Sequence, residues 1–409
     1  MNFILKRENL FLLCFISLLI SLYFDENSSG GAYKDFLISQ KYVSEFQNDI
    51  LNGFKIFILE NRIHLPFFYL VKSKLLIIFP SLVISFFYLV ISSLIPIFLY
   101  KILKKKFIKV DKNYLFFLSM IIFFSPYFRS SAVWASNDNI ALLFFLISIY
   151  YFFCFKNQKE DNFKYSLISF FFLILSCYIR QNYFLFSLIY FYFFYKNLNI
   201  LKFFTLITFN ILISIPVFIY VYFFYLVENS ESTYLSDLIK FDIIFSVLVF
   251  TSLFLFYIIP IFLNNFSNFD FFTYLNKRKS IIFSLFIIFS LLIFFYEIPS
   301  VQYGGGIFYK ISNLANINFL YFFSFFGLFF FIEINENKTK NYIVWLILIF
   351  SFPLIYIYQK YYDPLIYIIL LILIDSKILN NLIENKKISL PIFYSYILIF
   401  LIISNIYYR

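Results

Sequence analysis

Apolar segments close to the length of a membrane-spanning helix recur along the whole sequence, and this pattern constrains the fold more than any single motif. A bilayer core of about 30 Å is crossed by about 20 helical residues. The chain offers about thirteen segments that approach this length: 10–24, 75–100, 114–126, 139–155, 165–179, 183–195, 203–227, 243–263, 281–296, 319–332, 342–358, 365–374 and 390–406. Since 62% of the residues are hydrophobic and 13% are charged, a soluble globular protein is excluded. We predict an all-α integral membrane protein, a polytopic bundle of about thirteen transmembrane helices.

The positions of the basic residues predict how the chain is oriented. Lys and Arg total 33 against 22 Asp and Glu, an excess that by itself is also compatible with a nucleic-acid partner. The basic residues instead crowd one set of loops, most densely at 101–112, KILKKKFIKVDK. Cytoplasmic loops of membrane proteins carry such an excess, so we place this loop and the amino terminus in the cytoplasm. The expected partner is the lipid bilayer, and no nucleic acid is expected.

The stretch 25–74 is a long polar interruption and falls on the predicted outer face. It holds the only histidine, His64, and six of the 22 carboxylates, namely Asp25, Glu26, Asp35, Glu45, Asp49 and Glu60. A polar segment of this length between two membrane segments is more typical of a working surface than of a connector. We predict a large, partly helical first outer loop within a single transmembrane domain covering 1–409, with no separate soluble domain.

Several cations lie at predicted outer helix ends, where positive charge is disfavoured. They are Arg62, Arg129, Arg180, Lys310 and Lys360. Asp138, at the mouth of the fourth segment, needs an ionic partner or a water-filled cavity, and Arg129 and Arg180 are the two candidate partners. Tyr303 opens a run of three of the seven glycines, which is compatible with a simple turn or with a loop that approaches a ligand closely.

Three motifs on the predicted outer face resemble the GT-C glycosyltransferase superfamily. His64-Leu65-Pro66-Phe67-Phe68-Tyr69 resembles the start of the second span in that superfamily, and Asn137-Asp138-Asn139 resembles its Asp-led fourth span. Lys360-Tyr361-Tyr362-Asp363-Pro364-Leu365 resembles a late helix opening in the branch of protein O-mannosyltransferases and the lipid A aminoarabinose transferase. Thirteen spans and a large first outer loop also match that branch.

The resemblance implies a membrane glycosyltransferase of cell-envelope glycan biosynthesis. Its donor would be a sugar on a polyprenyl phosphate, its acceptor a lipid, glycan or protein, and its location the bacterial inner membrane with the active site facing the periplasm. In such enzymes a carboxylate deprotonates the attacking hydroxyl, while cations or a metal neutralise the departing phosphate. A divalent metal is the one cofactor that the resemblance suggests.

Candidate site residues follow from this chemistry. For the catalytic base, Asp35 is the first choice because the preceding SGGAY allows close backbone approach to a ligand, and Asp25 is the second. Both carboxylates could instead be solvated loop acids or helix caps. The residues assigned to the donor phosphate are Lys360, Arg180, His64 and Arg62, although His64 could simply anchor its helix. The polar residues expected in the same cavity are Asp138, Arg129, Tyr303 and Lys310.

Two other classes of membrane protein remain open at this point. A transporter or flippase of lipid-linked glycans would carry functional charges in mid-helix and internal repeats. Here the polar residues collect at outer helix ends and no repeat is visible. An O-antigen-type polymerase or ligase would more typically place its large outer loop late in the chain.

Overall fold

The computed structural model describes residues 6–60, 65–157, 163–228, 242–263, 278–300, 304–315, 317–336, 338–352 and 357–408. All regular structure in these ranges is helical, with nineteen α-helices and three short 3₁₀ turns, which confirms the predicted all-α class. The chain divides into two compact units, and we describe each by itself. The expectation of one continuous membrane domain stays a prediction.

Unit 1 comprises Met1–Leu235 and Ile399–Arg409. Its helices are α1 (Arg7–Tyr23), α2 (Ala32–Asn48), α3 (Ile50–Leu59), α4 (Phe67–Ile78), α5 (Ser81–Lys106), α6 (Lys112–Met120), α7 (Pro126–Val133), α8 (Asn137–Asn157), α9 (Phe163–Ile179), α10 (Ser187–Asn197) and α11 (Ile200–Glu228).

Unit 2 comprises Ser236–Leu398. Its helices are α12 (Ile243–Phe262), α13 (Lys279–Phe295), α14 (Gly306–Ala315), α15 (Phe319–Asn335), α16 (Thr339–Phe350), α17 (Leu365–Ile372) and α18 (Lys377–Glu384). The last helix, α19 (Leu390–Tyr407), contributes residues to both units.

Five helices are individually long and apolar enough to cross a membrane, namely α5, α8, the Ile200–Tyr220 part of α11, α12 and α19. Two further pairs of helices pass the same test when each pair is taken together, but each pair is bent at a break. The bend is 67° between Lys112–Phe124 and Pro126–Val133, and 84° between Gln359–Ile372 and Lys377–Glu384. Each of the thirteen predicted segments contains a helix, yet several helices are only 10–17 residues long. Over the described residues the structure therefore gives five to seven candidate spans, and the count of thirteen is not confirmed.

Prolines divide two segments that the sequence analysis treated as simple. The expected second helix over 75–100 is interrupted between α4 and α5, because Phe79 is extended before Pro80. The third segment ends in a 3₁₀ turn, Ile121–Phe124, and Ser125 then caps α7 by accepting a hydrogen bond from the Phe128 N–H at 3.2 Å. The stretch that we expected to be an outer loop after this segment is therefore largely helix.

The described part of the stretch predicted to be the first outer loop contains α2, α3 and the start of α4, so it is partly helical, as predicted. Its centre is a cluster of three buried aromatic side chains, Tyr42, Phe46 and Phe57, against which further apolar side chains pack. Asp49 separates α2 from α3 and caps α3 by accepting from the Leu51 N–H at 2.9 Å. Because this loop has its own apolar cluster, it presents its polar residues from a folded scaffold.

One end of unit 1 is rich in lysine. There Arg7, the first residue of α1, donates hydrogen bonds to the side chains of Asn113 at 2.6 Å and Tyr100 at 3.1 Å. At the same end the side chain of Asn157, the last residue of α8, donates to the Lys105 carbonyl at 3.4 Å. This end carries the 101–112 lysines, and we call it the lysine end.

Candidate functional site

The opposite ends of α1 and α8 carry a different chemistry, since two arginines there pair with two carboxylates. Glu26, just after α1, binds Arg129 of α7, and Asp138, in the first turn of α8, binds Arg180 at the end of α9. We call this region the paired end. It holds three of the sequence-predicted site residues, namely Arg129, Asp138 and Arg180.

Arg129 is buried, and its guanidinium is fully engaged by protein groups. Its Nε lies 3.1 and 3.0 Å from the two carboxylate oxygens of Glu26, and its Nη2 lies 2.9 Å from one of them. Nη1 and Nη2 also donate to Ser17, and Nη2 donates to Ser21. Such a pair is charge-assisted and geometrically specific, so Arg129 acts here as a structural partner of Glu26.

The same pair fixes the ionisation of Glu26. Burial favours the neutral acid and acts to raise its pKa. Hydrogen bonds and the positive charge of Arg129, with help from Ser21 and Ser28, outweigh burial and hold the pKa of Glu26 below its ordinary value. Glu26 is therefore a bound carboxylate at neutral pH and a poor proton acceptor.

Three backbone carbonyls at the bend between α6 and α7 accept hydrogen bonds from side chains. Each pair consists of one carbonyl and one donor side chain: Phe123 with Arg129 at 3.2 Å, Pro126 with Ser28 at 2.8 Å, and Phe128 with Asn139 at 3.0 Å. A carbonyl oxygen has two lone pairs, so it can accept from a side chain even where it also accepts from a helix amide. These polar side chains therefore stabilise the break as well as forming the paired end.

The structure decides between the two candidate partners of Asp138. Arg180 donates from Nη2 to one carboxylate oxygen of Asp138, while the Ser136 hydroxyl donates to the other at 2.9 Å. The side chain of Arg180 is largely buried, with 11% of its surface exposed. Asp138 thus holds the guanidinium of Arg180 at the paired end.

Asp25 and Asp35 lie in different surroundings. Asp25 is exposed and has a positive φ of 49°, in the turn that follows α1. Asp35 is half-buried in the first turn of α2. The flanking Tyr33 and Phe36 pack on Trp134, with ring centroids 4.9 and 5.3 Å apart.

Trp134 connects this turn of α2 to the paired end. Its indole N–H donates to the Glu26 carbonyl at 3.0 Å. Gly30, one of the two glycines before Asp35, has a structural use that the sequence analysis did not foresee. A Cβ on Gly30, where φ is 73°, would lie 2.1 Å from the ring of Tyr408, so the close approach at this position is to a protein side chain.

The sequence-predicted cations Lys360 and Lys310 belong to unit 2. The Nζ of Lys360 lies 5.4 and 5.7 Å from the ring centroids of Tyr358 and Tyr361. Lys310 is half-buried in α14, and this burial lowers its pKa.

The glycine run before α14 packs against its own unit. The Gly305 N–H donates to the Ile357 carbonyl at 2.7 Å, and the Ile307 N–H donates to the Gln359 side chain at 2.9 Å. A Cβ on Gly304, where φ is 95°, would lie 2.7 Å from the Ile357 carbonyl oxygen. These glycines let two backbone segments meet.

Three predicted site residues, Arg62, His64 and Tyr303, lie outside the described residues. Among the side chains that are described, no group of three or more His, Cys, Asp or Glu is placed to hold a metal ion. The two carboxylates of the paired end are instead each bound to an arginine.

Lys72, which the sequence analysis did not single out, is buried in α4 with 4% of its surface exposed. Its Nζ lies 3.3 Å from the Ala135 carbonyl, in the connection between α7 and α8. Ring centroids of Phe36, Phe68 and Tyr88 surround it at 5.3, 5.6 and 5.7 Å. Burial lowers the pKa of Lys72 to about 8. A signal was present in the sequence, since Phe68 and Lys72 are four residues apart and share a helix face.

No protein-family model, curated protein or solved structure matches this chain at a significant level.

Proposed function

We propose that this chain is a GT-C-type membrane glycosyltransferase with about thirteen spans. It moves a sugar from a polyprenyl-phosphate donor to a lipid, glycan or protein acceptor on the outer face of a bacterial inner membrane. The observation that carries the proposal is the polarity of unit 1. The lysine end suits the cytoplasmic side, and the paired end, with the candidate base Asp35 close by in the fold, falls on the opposite side.

The reaction assigns one role to Asp35. The acceptor hydroxyl gives its proton to this carboxylate, its oxygen attacks the anomeric carbon, and the bond from that carbon to the phosphate oxygen breaks. Glu26 is less suited as the base because Arg129 binds both of its oxygens and lowers its pKa. Asp25 is the second choice because it is exposed in a turn.

Cations take the charge that builds on the departing phosphate. Within unit 1 we assign this role to Arg180, whose guanidinium is oriented by Asp138, with Arg62 and His64 as the contributions expected from the first loop. A metal would supply the same charge neutralisation. Lys360, Lys310 and Tyr303 keep the assignments that the sequence motifs predict for them.

The location of the charges favours an enzyme over a transporter. Glu26, Asp138 and Arg180 lie at helix ends, and Arg129 lies beside the break between α6 and α7. Transporters typically place functional charges near the middle of the membrane, in helices that are interrupted there.

The test is sugar transfer by the purified protein in lipid nanodiscs, with a radiolabelled polyprenyl-phosphate sugar and a lipid extract as acceptor. Loss of a well-placed general base costs about 10²–10⁴ in rate, so Asp35→Asn should lose transfer by this factor. Glu45→Gln, on the same helix, is the matched control and should transfer normally. Full activity of Asp35→Asn with an inactive Asp25→Asn would reassign the base. If both variants stay active, the first loop does not supply the base.

A further inference from the structure

Lys72 presents a buried ammonium with few acceptors. An ammonium has three N–H donors, and within the described residues its one hydrogen-bond acceptor is the Ala135 carbonyl at 3.3 Å. None of the ion pairs found in the described ranges includes Lys72. A buried charge without an anionic partner is costly, and aromatic faces offset only part of that cost.

The three rings around Lys72 differ in how much of their surface is exposed. Phe68 and Tyr88 are buried, with 4% and 3% of their surfaces exposed. Phe36, the third ring of the cage, is partly exposed. A ligand that reached the Lys72 ammonium would therefore pass Phe36, which is next to Asp35 in the first turns of α2.

We propose that Lys72 binds a phosphate oxygen of an anionic ligand at the boundary between the first outer loop and the α7–α8 connection. The choice of ligand rests on the proposed function, because its donor carries a phosphate on a polyprenyl chain. The site would place that phosphate beside the helix turn that carries the candidate base.

Phosphate is the chemistry that fits the site. Among the described residues the ammonium has no anionic partner, and a phosphate supplies several strong acceptor oxygens on one centre, so it can occupy donors that Ala135 leaves unused. A polyprenyl chain also suits the partly exposed ring of Phe36. An inorganic phosphate offers the same oxygens without the chain, so the two sources are separated by experiment.

The first experiment measures binding by thermal shift of the full-length protein in detergent. The probes are decaprenyl phosphate, the uncharged alcohol decaprenol, and inorganic phosphate. The wild-type protein should be stabilised by decaprenyl phosphate and not by decaprenol. Lys72→Met should weaken the affinity for decaprenyl phosphate at least tenfold, whereas Lys72→Arg, which keeps the charge, should lose less. Lys74→Met is the matched control, because Lys74 is exposed on the same helix, and should bind normally.

The outcomes separate the possible sources. Stabilisation by inorganic phosphate that is lost in Lys72→Met would assign the site to free phosphate, and it would overturn the assignment to a lipid phosphate. Equal binding of decaprenyl phosphate by Lys72→Met and wild type would overturn the proposal outright.

A second measurement needs no apolar variant at position 72. In protein with ¹⁵Nζ-labelled lysine, the Lys72 resonance is identified as the one missing from Lys72→Arg, and its pKa is followed with and without decaprenyl phosphate. An anion favours the ammonium, so the pKa of Lys72 should rise from about 8 when the probe binds. The affinity should fall as pH rises through that starting value. A pKa that does not move at saturating probe would contradict the proposal.

Other titratable groups near Lys72 must be separated in that measurement. Tyr88 of α5 packs directly on it, Asp35 neighbours the cage residue Phe36 on α2, and Asp138 follows Ala135 by three residues. Asp35→Asn and Asp138→Asn should leave the direction of the Lys72 shift unchanged. Because this readout is binding, a protein that binds the probe through Lys72 without transferring sugar would refute the proposed function and retain the site.

Discussion

Glu26 and Arg129 form a buried ion pair between residues 103 positions apart in the sequence. The pair joins the turn after α1 to the first turns of α7. It holds the bend of the third segment against the first loop, and so it positions Trp134 and the turn of α2 that carries Asp35.

Removing the carboxylate of Glu26 should be strongly destabilising. Glu26→Gln leaves Arg129 buried with no compensating charge, and breaking one partner of a buried pair costs about 3–5 kcal/mol. The unfolding midpoint in mild detergent would measure the loss. Asp25→Asn is the matched control, since Asp25 is the exposed neighbour and Asn is tolerated at positive φ. If the two variants unfold alike, the pair does not stabilise the fold.

The same pair predicts a direction of pH dependence. Because the pKa of Glu26 is lowered in the folded state, its stabilising contribution is present above the ordinary value of about 4.3 and is lost as pH falls through the folded pKa. Stability measured from pH 6 downwards should therefore fall in the wild-type protein at acid pH, and this component should be missing from Glu26→Gln. An identical acid profile in both would exclude the linkage.

Asp138 and Arg180 should behave as a coupled pair. Asp138→Asn leaves the largely buried Arg180 without its carboxylate and should cost about 3 kcal/mol. The double variant Asp138→Asn with Arg180→Gln removes the stranded charge and should be more stable than Asp138→Asn alone. The free energies of unfolding of the wild-type protein, the two single variants and the double variant form a double-mutant cycle. Additive losses would mean that the two side chains do not interact.

Membrane orientation can be tested with single cysteines at the two ends of unit 1. Lys104→Cys lies at the lysine end and should react with an impermeant thiol reagent only from the cytoplasmic side. Gly31→Cys should react only from outside. Gly31 is the better position than Gly30, because a Cβ there has open space whereas one on Gly30 would meet Tyr408. Reaction from the opposite sides would overturn the localisation and, with it, the outer-face site.

The parent protein is the control for that labelling. Its native cysteines Cys14 and Cys154 are buried and Cys177 is half-buried, so they should add little background. Residual labelling of the parent would be removed by replacing Cys177 with serine.

The sequence predicted helices well because an apolar run in a membrane protein has few alternatives to a helix. It did not predict where the helices break. The prolines at positions 80 and 126 were visible, but whether a proline ends a span or bends it depends on contacts with other parts of the chain. At Pro126 those contacts include Ser28, which donates to the Pro126 carbonyl, and Asn139, which donates to the Phe128 carbonyl.

The candidate site was predictable only in part, because its contacts also join residues that are distant in the sequence. Asp138 was expected to need an ionic partner or a water-filled cavity, and one of its two named candidate partners, Arg180, binds it. Asp25 and Glu26 are neighbours of similar chemistry, yet one is exposed and the other is buried against a distant arginine. Local sequence cannot separate such neighbours, because the difference is made by tertiary packing.

The break between α6 and α7 also limits how far sequences of this fold can diverge. Most apolar positions of a membrane helix can exchange Phe, Ile and Leu with little consequence, since each fills lipid-facing or core space. The donors to the three carbonyls at the bend, Arg129, Ser28 and Asn139, have no apolar substitute, because an apolar side chain cannot donate a hydrogen bond. Distant relatives that keep the bend should therefore be recognisable by a polar fingerprint at these three positions after the rest of the alignment has lost its signal.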